Sequence, residues 1–556
     1  MKSTSRREFL RLAGLGSIAL WAGGTSALLS NCTPASASPA GPISILPLAQ
    51  DDMWRTSAQD GEREPDVEID MRAVPAQVPV LSGRETSVWT YQAELLKGEP
   101  GNLQALPDTY LGPVIRLRRG QRVRVRFTND LPQETIIHWH GLHVPAAMDG
   151  HPRFAVGPGQ SYLYEFDVLN RAGTYWYHPH PHGLTGEQVY YGLAGLFLIS
   201  DEEEDAAGLP VGEYDLPLVL QDRVFDNDNQ LIYLPNGMMD RMTGFVGDRI
   251  LVNGHPDMRM SLATRAYRLR LLNGSSSRIY KLAWGDGTPM TVIGTDGGLL
   301  EQPVQRAYVT LAPAERIDLW LDLSDRPVGT EMVLRSLPFA GAESGMMMGG
   351  GMGRGMGGGM MGTSPSLPNG AAFPVLRLGV DRAEREILSL PGRLSTFERY
   401  RLEDAVNRGN PRNFHMIMRH MAWTINGRLF EMEAVAPDEV VRLDTLEVWD
   451  LYNKAGGMGM GMGMGMGLPH PIHIHGLQFQ VVERQVDPRQ AAAWKTVSDG
   501  YIDEGWKDVV LLMPGERARL LLKFEDHTGL FLYHCHNLEH EDMGMMRNFQ
   551  VVDSAV

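Results

Sequence analysis

The 556-residue sequence predicts an all-β protein built from three related β-sandwich units. Three observations predict this. Most segments alternate apolar and polar residues, are rich in β-branched and aromatic side chains, and are bounded by Gly, Pro and Asn. Long stretches of helical period are scarce. Two short patterns recur along the chain at intervals far longer than a solenoid repeat.

The first pattern is an alternating strand that ends in Asn. It occurs as Arg122–Asn129 (RVRVRFTN), Tyr267–Asn273 (YRLRLLN) and Glu447–Asn453 (EVWDLYN). The second is a turn followed by a strand, at Pro158-Gly159-Gln160, Pro313-Ala314-Glu315 and Pro514-Gly515-Glu516. Two of these turns lead to a similar end, Tyr175-Trp176-Tyr177-His178 and Phe531-Leu532-Tyr533-His534. Asn253-Gly254 and Asn426-Gly427 add hairpin signals. The three units are placed at residues 60–205, 210–385 and 395–556. The first and third carry histidine clusters at corresponding places and the second does not, so the second reads as a spacer beside a shared site.

Composition excludes several classes. Lys and Arg number 51 against 67 Asp and Glu, a net charge of −16, and no basic face for nucleic acid is expected. Two cysteines cannot build a disulfide scaffold. Ser5-Arg6-Arg7-Glu8-Phe9-Leu10 resembles the twin-arginine export signal of bacteria. Ala35-Ser36-Ala37 then reads as the cleavage site, giving a signal peptide at 1–37 and a linker at 38–60. Cleavage is preferred to a lipid anchor at Cys32, because Asn31 stands where a lipobox has a small residue. The expected location is periplasmic or extracytoplasmic, with no transmembrane span in the mature chain. Cys535 is then the one thiol of an exported protein, and metal ligation gives it a reason to persist.

Of 17 histidines, 10 fall in four short clusters. These are His138-Trp139-His140-Gly141, His178-Pro179-His180, His470-Pro471-Ile472-His473-Ile474-His475-Gly476, and His534-Cys535-His536 with His540. On a strand, residues i and i+2 share a face, so each His-x-His presents two imidazoles side by side. Four such pairs supply eight imidazoles, too many for one ion, and a multinuclear cluster is the economical reading. The other histidines, at 143, 151, 182, 255, 415, 420 and 527, are expected in supporting or surface roles.

The Cys535 strand carries a second argument. His534 and His536 face one side, so Cys535 faces the other. A thiolate, two imidazoles and a weak thioether make a blue-copper electron-transfer site, and Cys535, His470, His540 and Met545 provide that set. Zinc suits His and Cys but explains neither the thioether nor the imidazole assembly. A metal on Cys535 is bonded next door to two cluster ligands, a short covalent route for an electron.

With these motifs in view, HWHG, HPH, HPIHIHG and HCHNLEHEDMGM, the chain after residue 60 resembles the multicopper oxidases, the family of laccases and cuprous oxidases. The last motif is most similar to the bacterial copper-efflux cuprous oxidases. The resemblance implies three cupredoxin-like Greek-key β-sandwich domains and four copper ions, one type 1, one type 2 and two type 3. It implies His470, Cys535, His540 and Met545 at type 1. It implies His138 and His473 at type 2, and His140, His178, His180, His475, His534 and His536 at the type 3 pair. Asp149 and Glu541 match positions where the family uses acids to deliver protons. The implied reaction is reduction of dioxygen to water with electrons taken singly from a reductant, and a monomer is expected.

The reductant is read from the methionines. The segment at 345–362 holds seven Met and the segment at 456–467 alternates Gly and Met with five. Gly at that density opposes helix, and thioethers select Cu(I). The second segment ends just before His470. A Cu(I)-collecting device with room for further Cu(I) is the expectation, and a periplasmic cuprous oxidase is the expected function. The alternative is a laccase of phenols and other organic reductants. No acid precedes His470 in Met466-Gly467-Leu468-Pro469, unlike the copper-efflux relatives. Met416, Met418 and Met421 are expected in the core.

Overall fold

The computed structural model describes residues 63–342, 367–454 and 467–553. The expected signal peptide and linker, Cys32, and the methionine-rich segments at 345–362 and 456–467 (all but Gly467) lie outside the described residues.

Six sheets form three face-to-face pairs. The first pair runs from Val67 to Ser200, the second from Arg223's strand at Asp215–Arg223 to Phe373–Arg382, and the third from Arg412–Arg419 to Met546–Val552. In each pair one continuous apolar cluster takes residues from both sheets. Val67, Val125 and Tyr164 meet Ile115, Tyr177 and Phe197 in the first. Leu269, Leu319 and Val292 meet Leu282, Leu334 and Leu378 in the second. Phe414, Trp449 and Leu520 meet Ile472, Tyr533 and Phe549 in the third. Each sandwich therefore has its own core, which is what alternation of apolar residues along a strand produces.

The recurring Asn-ended strands hold the same place in all three. Arg122–Asn129 pairs parallel with Val67–Val78 and antiparallel with Ser161–Asp167. Ala266–Asn273 pairs parallel with Asp215–Arg223 and antiparallel with Arg316–Asp322. Thr445–Asn453 pairs parallel with Arg412–Arg419 and antiparallel with Glu516–Phe524.

The recurring turns are the other half of one device. The amides of Gly159, Ala314 and Gly515 donate to the carbonyls of Asn129, Asn273 and Asn453, at 2.6, 2.8 and 2.9 Å. Each Asn is buried, and its side-chain amide donates to two carbonyls of the facing chain, Leu468 and Leu512 for Asn453. The next side chain closes the turn: Gln160, Glu315 and Glu516 accept from the amides of Gly157, Ala312 and Met513. Buried backbone groups need such partners, so the sequence signature is a hydrogen-bonding requirement. The turn residue takes a positive φ, and Ala314 does so at +68° where its counterparts are Gly.

The second sheets of the first and third sandwiches carry the histidine strands in matching pairs. Ile137–His140 pairs antiparallel with Gly173–Pro179, His138 opposite His178. His470–Ile474 pairs antiparallel with Gly529–Cys535, His473 opposite His534. Three short helices, Thr185–Tyr190, Met238–Thr243 and Leu538–Asp542, pack around this region. No helix of the described residues is long and apolar enough to cross a membrane.

Candidate metal centre

Eight histidines of the four clusters converge between the first and third sandwiches, while His470, His540 and Cys535 gather within the third, and all of these side chains are buried. Five of the imidazoles are oriented by an outer nitrogen. His138 Nδ1 donates to the Asp149 carbonyl at 2.6 Å and His473 Nδ1 to the Asp508 carbonyl at 2.8 Å. His475 Nδ1 lies 2.8 Å from Asp149 Oδ2, and His140 Nε2 lies 3.2 Å from Asp508 Oδ1. His534 Nδ1 lies 3.1 Å from Glu541 Oε2. A ring nitrogen facing an oxygen acceptor carries the proton, so the inner nitrogen of each of these rings presents a lone pair.

Those lone pairs face one another. His138 Nε2 and His473 Nε2 are 3.3 Å apart, and so are His140 Nδ1 and His178 Nε2. His534 Nε2 lies 3.1 Å from His475 Nε2 and 3.4 Å from His180 Nε2. His536 lies edge-on among them, 5.1 Å from His140 and 5.2 Å from His178 between ring centroids, with neither nitrogen hydrogen-bonded among the described residues. Burial, with the repulsion of neighbouring imidazoles, lowers the pKa of His138, His140, His473, His475 and His536 far below the usual value, so the rings are neutral. Neutral inward-facing imidazoles without a proton to share fit cations held between them.

A second donor set sits on the other face of the Gly529–Cys535 strand. Cys535 Sγ lies 3.4 Å from His470 Nδ1 and 3.8 Å from His540 Nδ1, and those two nitrogens are 3.3 Å apart. His540 Nε2 donates to the Met242 carbonyl at 3.1 Å, which leaves Nδ1 free to bind. Met545 is buried in the same cluster, and its carbonyl accepts from the Cys535 amide at 3.0 Å. Burial pushes the Cys535 thiol well up, a penalty that bound metal relieves by holding the thiolate. A thiolate with imidazoles suits copper, and the chemistry of the donors fits it here.

Comparison with known proteins agrees. Multicopper oxidase family models match residues 87–204 and 405–555. The multicopper oxidase mco of Staphylococcus haemolyticus is 30% identical, over 83% of this chain and 87% of its own. The chain belongs to the multicopper oxidase family. A laccase of Bacillus stratosphericus is 30% identical over 84% of this chain and 91% of its own. The crystal structure of the McoA multicopper oxidase from Aquifex aeolicus superposes with a TM-score of 0.71 at 34% identity, covering 88% of this chain and 96% of that one. The cupredoxin-like sandwich fold expected from the motifs is the fold of these neighbours. As a multicopper oxidase the protein is a copper-dependent oxidoreductase with dioxygen as acceptor.

In this multicopper oxidase the ten clustered histidines and Cys535 fall into these two sets, and Met545 packs in the same apolar core as Cys535. Asp149 and Glu541, the two acids, both touch the cluster. Asp149 is fully buried and burial raises its pKa well above the usual range. Burial also pushes Glu541 up, but the His534 and His180 imidazoles beside it more than offset this and hold it low. His180 Nε2 is 3.5 Å from Glu541 Oε1. Of the supporting histidines, His143 pairs with Asp526 at 2.6 Å and His182 packs on Phe430.

Other participants carry no motif. Asp508 orients two histidines, and Trp423 packs on His470 and His540. The second sandwich is more than a spacer: it supplies the Met242 carbonyl and Arg316, whose guanidinium reaches Asp508. Backbone carbonyls and non-histidine neighbours leave no spacing in the chain to read. Met416 is buried as expected, Met418 is partly so, and Met421 is 63% exposed. Met421 follows His420 in a turn where both take positive φ, which turns its side chain out of the core.

Proposed function

We propose that this multicopper oxidase oxidises Cu(I) as its reductant, with His470, Cys535, His540 and Met545 as the type 1 ligands. His138 and His473 are then the type 2 ligands, and His140, His178, His180, His475, His534 and His536 hold the type 3 pair. Copper in these places supplies one-electron chemistry at Cys535 and four-electron reduction of dioxygen to water at the histidine cluster. The chain's own residues do the rest. Asp149 and Glu541 hold and pass protons beside the cluster. Cys535 links covalently to His534 and His536, and the Leu538–Asp542 helix fixes His540 and Glu541 in one turn.

One observation carries the Cu(I) reading. A cleft between the second and third sandwiches is lined by Ala342, Asn369, Leu468, Pro469 and Pro471, among others. Pro469 and Pro471 flank His470. Ala342 lies three residues before the first methionine-rich segment, Asn369 seven residues after it, and Leu468 directly after the second. Described residues near both segments therefore line the cleft beside His470. His470 Nε2 is buried without a hydrogen-bond partner among the described residues. The twin-arginine motif supports an exported protein that meets copper outside the cytoplasm.

Relatives named laccases support the second reading, oxidation of phenols. Deletion of Met458–Met466 separates the two. Oxygen uptake with Cu(I) is expected to fall more than oxidation of a small organic dye, and equal losses would count against Cu(I).

A further inference from the structure

Asp149 and Asp508 are related by an exchange. Asp149, on the first sandwich, accepts from its own sandwich's His138 through its carbonyl and holds His475 of the third through its carboxylate. Asp508, on the third, accepts from its own His473 through its carbonyl and holds His140 of the first through its carboxylate. The rings stack in matching pairs, His138 on His475 at 3.8 Å and His140 on His473 at 3.7 Å. Among the described residues only one of the two acids has a cation. Arg316 grips Asp508 with both Nη atoms at 2.6 Å, whereas Asp149 Oδ1 has no hydrogen-bond partner among the described residues.

Arg316 is fully committed to this task. Its Nε donates to the Thr174 carbonyl at 2.9 Å, Nη1 also to Ala314 at 3.1 Å, and Nη2 also to the Asp296 carbonyl at 2.9 Å. With the two bonds to Asp508, all five N–H groups of the guanidinium are used, and residues of all three sandwiches accept them. The glycine of the HWHG motif provides an independent sign. A Cβ on Gly141, which takes φ +86°, would lie 2.5 Å from Asp508 Oδ2 and 2.9 Å from Arg316 Nη2. In the matching HIHG motif the atoms nearest a Cβ on Gly476 belong to the Phe531 ring, not to an ion pair. Gly141 therefore leaves room for the ion pair.

We infer that Arg316 is a positioning residue for the copper cluster, acting through Asp508 to fix the tautomer and direction of His140 and the place of His473. The second sandwich thereby sets ligands it does not contain. A lysine keeps the charge but cannot span both carboxylate oxygens and three carbonyls. Loss of such an outer partner weakens metal binding by about 10–100-fold.

The inference rests on His140 and His473 being copper ligands. The test is copper per chain after dialysis against a weak chelator, alongside the visible band of the Cys535 site and the thermal midpoint. The full chain is compared with Arg316→Lys, Asp508→Asn and Glu315→Gln. Glu315 pairs with Lys507 in the same buried network without touching Asp508, and so reports plain destabilisation. Arg316→Lys is expected to lose cluster copper about 10–100-fold more readily with the visible band kept, and Glu315→Gln to keep both. If Arg316→Lys does not fold, Asp508→Asn is expected to show the same split. Wild-type copper content in the variants overturns the inference. So does loss of the band and the cluster copper together, in step with the thermal midpoint. A wild-type chain that holds copper only at Cys535 sinks the ligand assignment itself.

Discussion

Trp423 lies edge-on to His470, with ring centroids 4.6 Å apart and planes at 70°. The same indole is 5.2 Å from His540, and its Nε1–H donates to the Met242 carbonyl at 2.8 Å, the carbonyl that also accepts from His540. The ring keeps water from both imidazoles, and water favours the more highly charged oxidised copper. Trp423→Ala should therefore lower the potential of the Cys535 site, at a stability cost of about 3–5 kcal/mol. Trp423→Phe keeps the apolar wall, loses one hydrogen bond worth about 1 kcal/mol, and should leave the potential near that of wild type. Redox titration of the visible band decides it, and equal potentials in the two variants would remove the shielding role.

Cys535→Ser isolates the two centres. A serine hydroxyl does not replace the thiolate, so the visible copper–thiolate band should vanish. The imidazoles of the cluster keep their outer partners, so cluster copper should stay. Oxygen uptake with any reductant should fall by more than about 100-fold, beyond the loss of an outer-shell partner. A band that survives would show that another residue provides the ligand.

Much of this was legible because period and spacing carry it. The Asn-ended strands and the Pro-led turns marked three sandwiches, and the structure explains both as one bonded unit, for instance Asn453 with Gly515. His-x-His on a strand told which faces the paired imidazoles use. Asp149 was legible through its resemblance to a motif. Asp508 was not, since it lies 35 residues from His473 in sequence and reaches it through the pairing of His470–Ile474 with Val509–Leu512. Arg316 was hidden for a stronger reason: it belongs to a strand whose alternation reads as ordinary core. Long-range ion pairs between sandwiches leave no periodic trace.

The two acids beside the cluster should differ in their pH dependence. Burial raises Asp149, so it keeps a proton to higher pH than an exposed Asp, and its proton-bearing form is lost as pH rises through that raised pKa. Oxygen uptake limited by this proton should decline on the alkaline side. Asp149→Asn cannot release a proton, so it should be slower by about 10–100-fold and lack that decline. Glu541 is held low by His534 and His180, so Glu541→Gln should slow turnover without moving the alkaline limb. The pH–rate profiles of both variants, at equal copper content, check this.

Glu539 makes the contact between the Leu538–Asp542 helix and the second sandwich pH-sensitive. Its carboxylate accepts from Tyr233 Oη at 3.0 Å, the Phe245 amide at 3.0 Å and Ser277 Oγ at 2.9 Å. Burial outweighs these bonds and raises its pKa from 4.5 to about 7. Between those values the folded chain binds the proton and the unfolded chain does not, so stability falls as pH rises across that window and is flat above it. The full span corresponds to roughly 3 kcal/mol. Glu539→Gln removes the titration, so its thermal midpoint relative to wild type should improve as pH rises from about 5 to about 7. A constant offset between the two proteins across that range would mean that Glu539 stays ionised in the fold, held by its three donors.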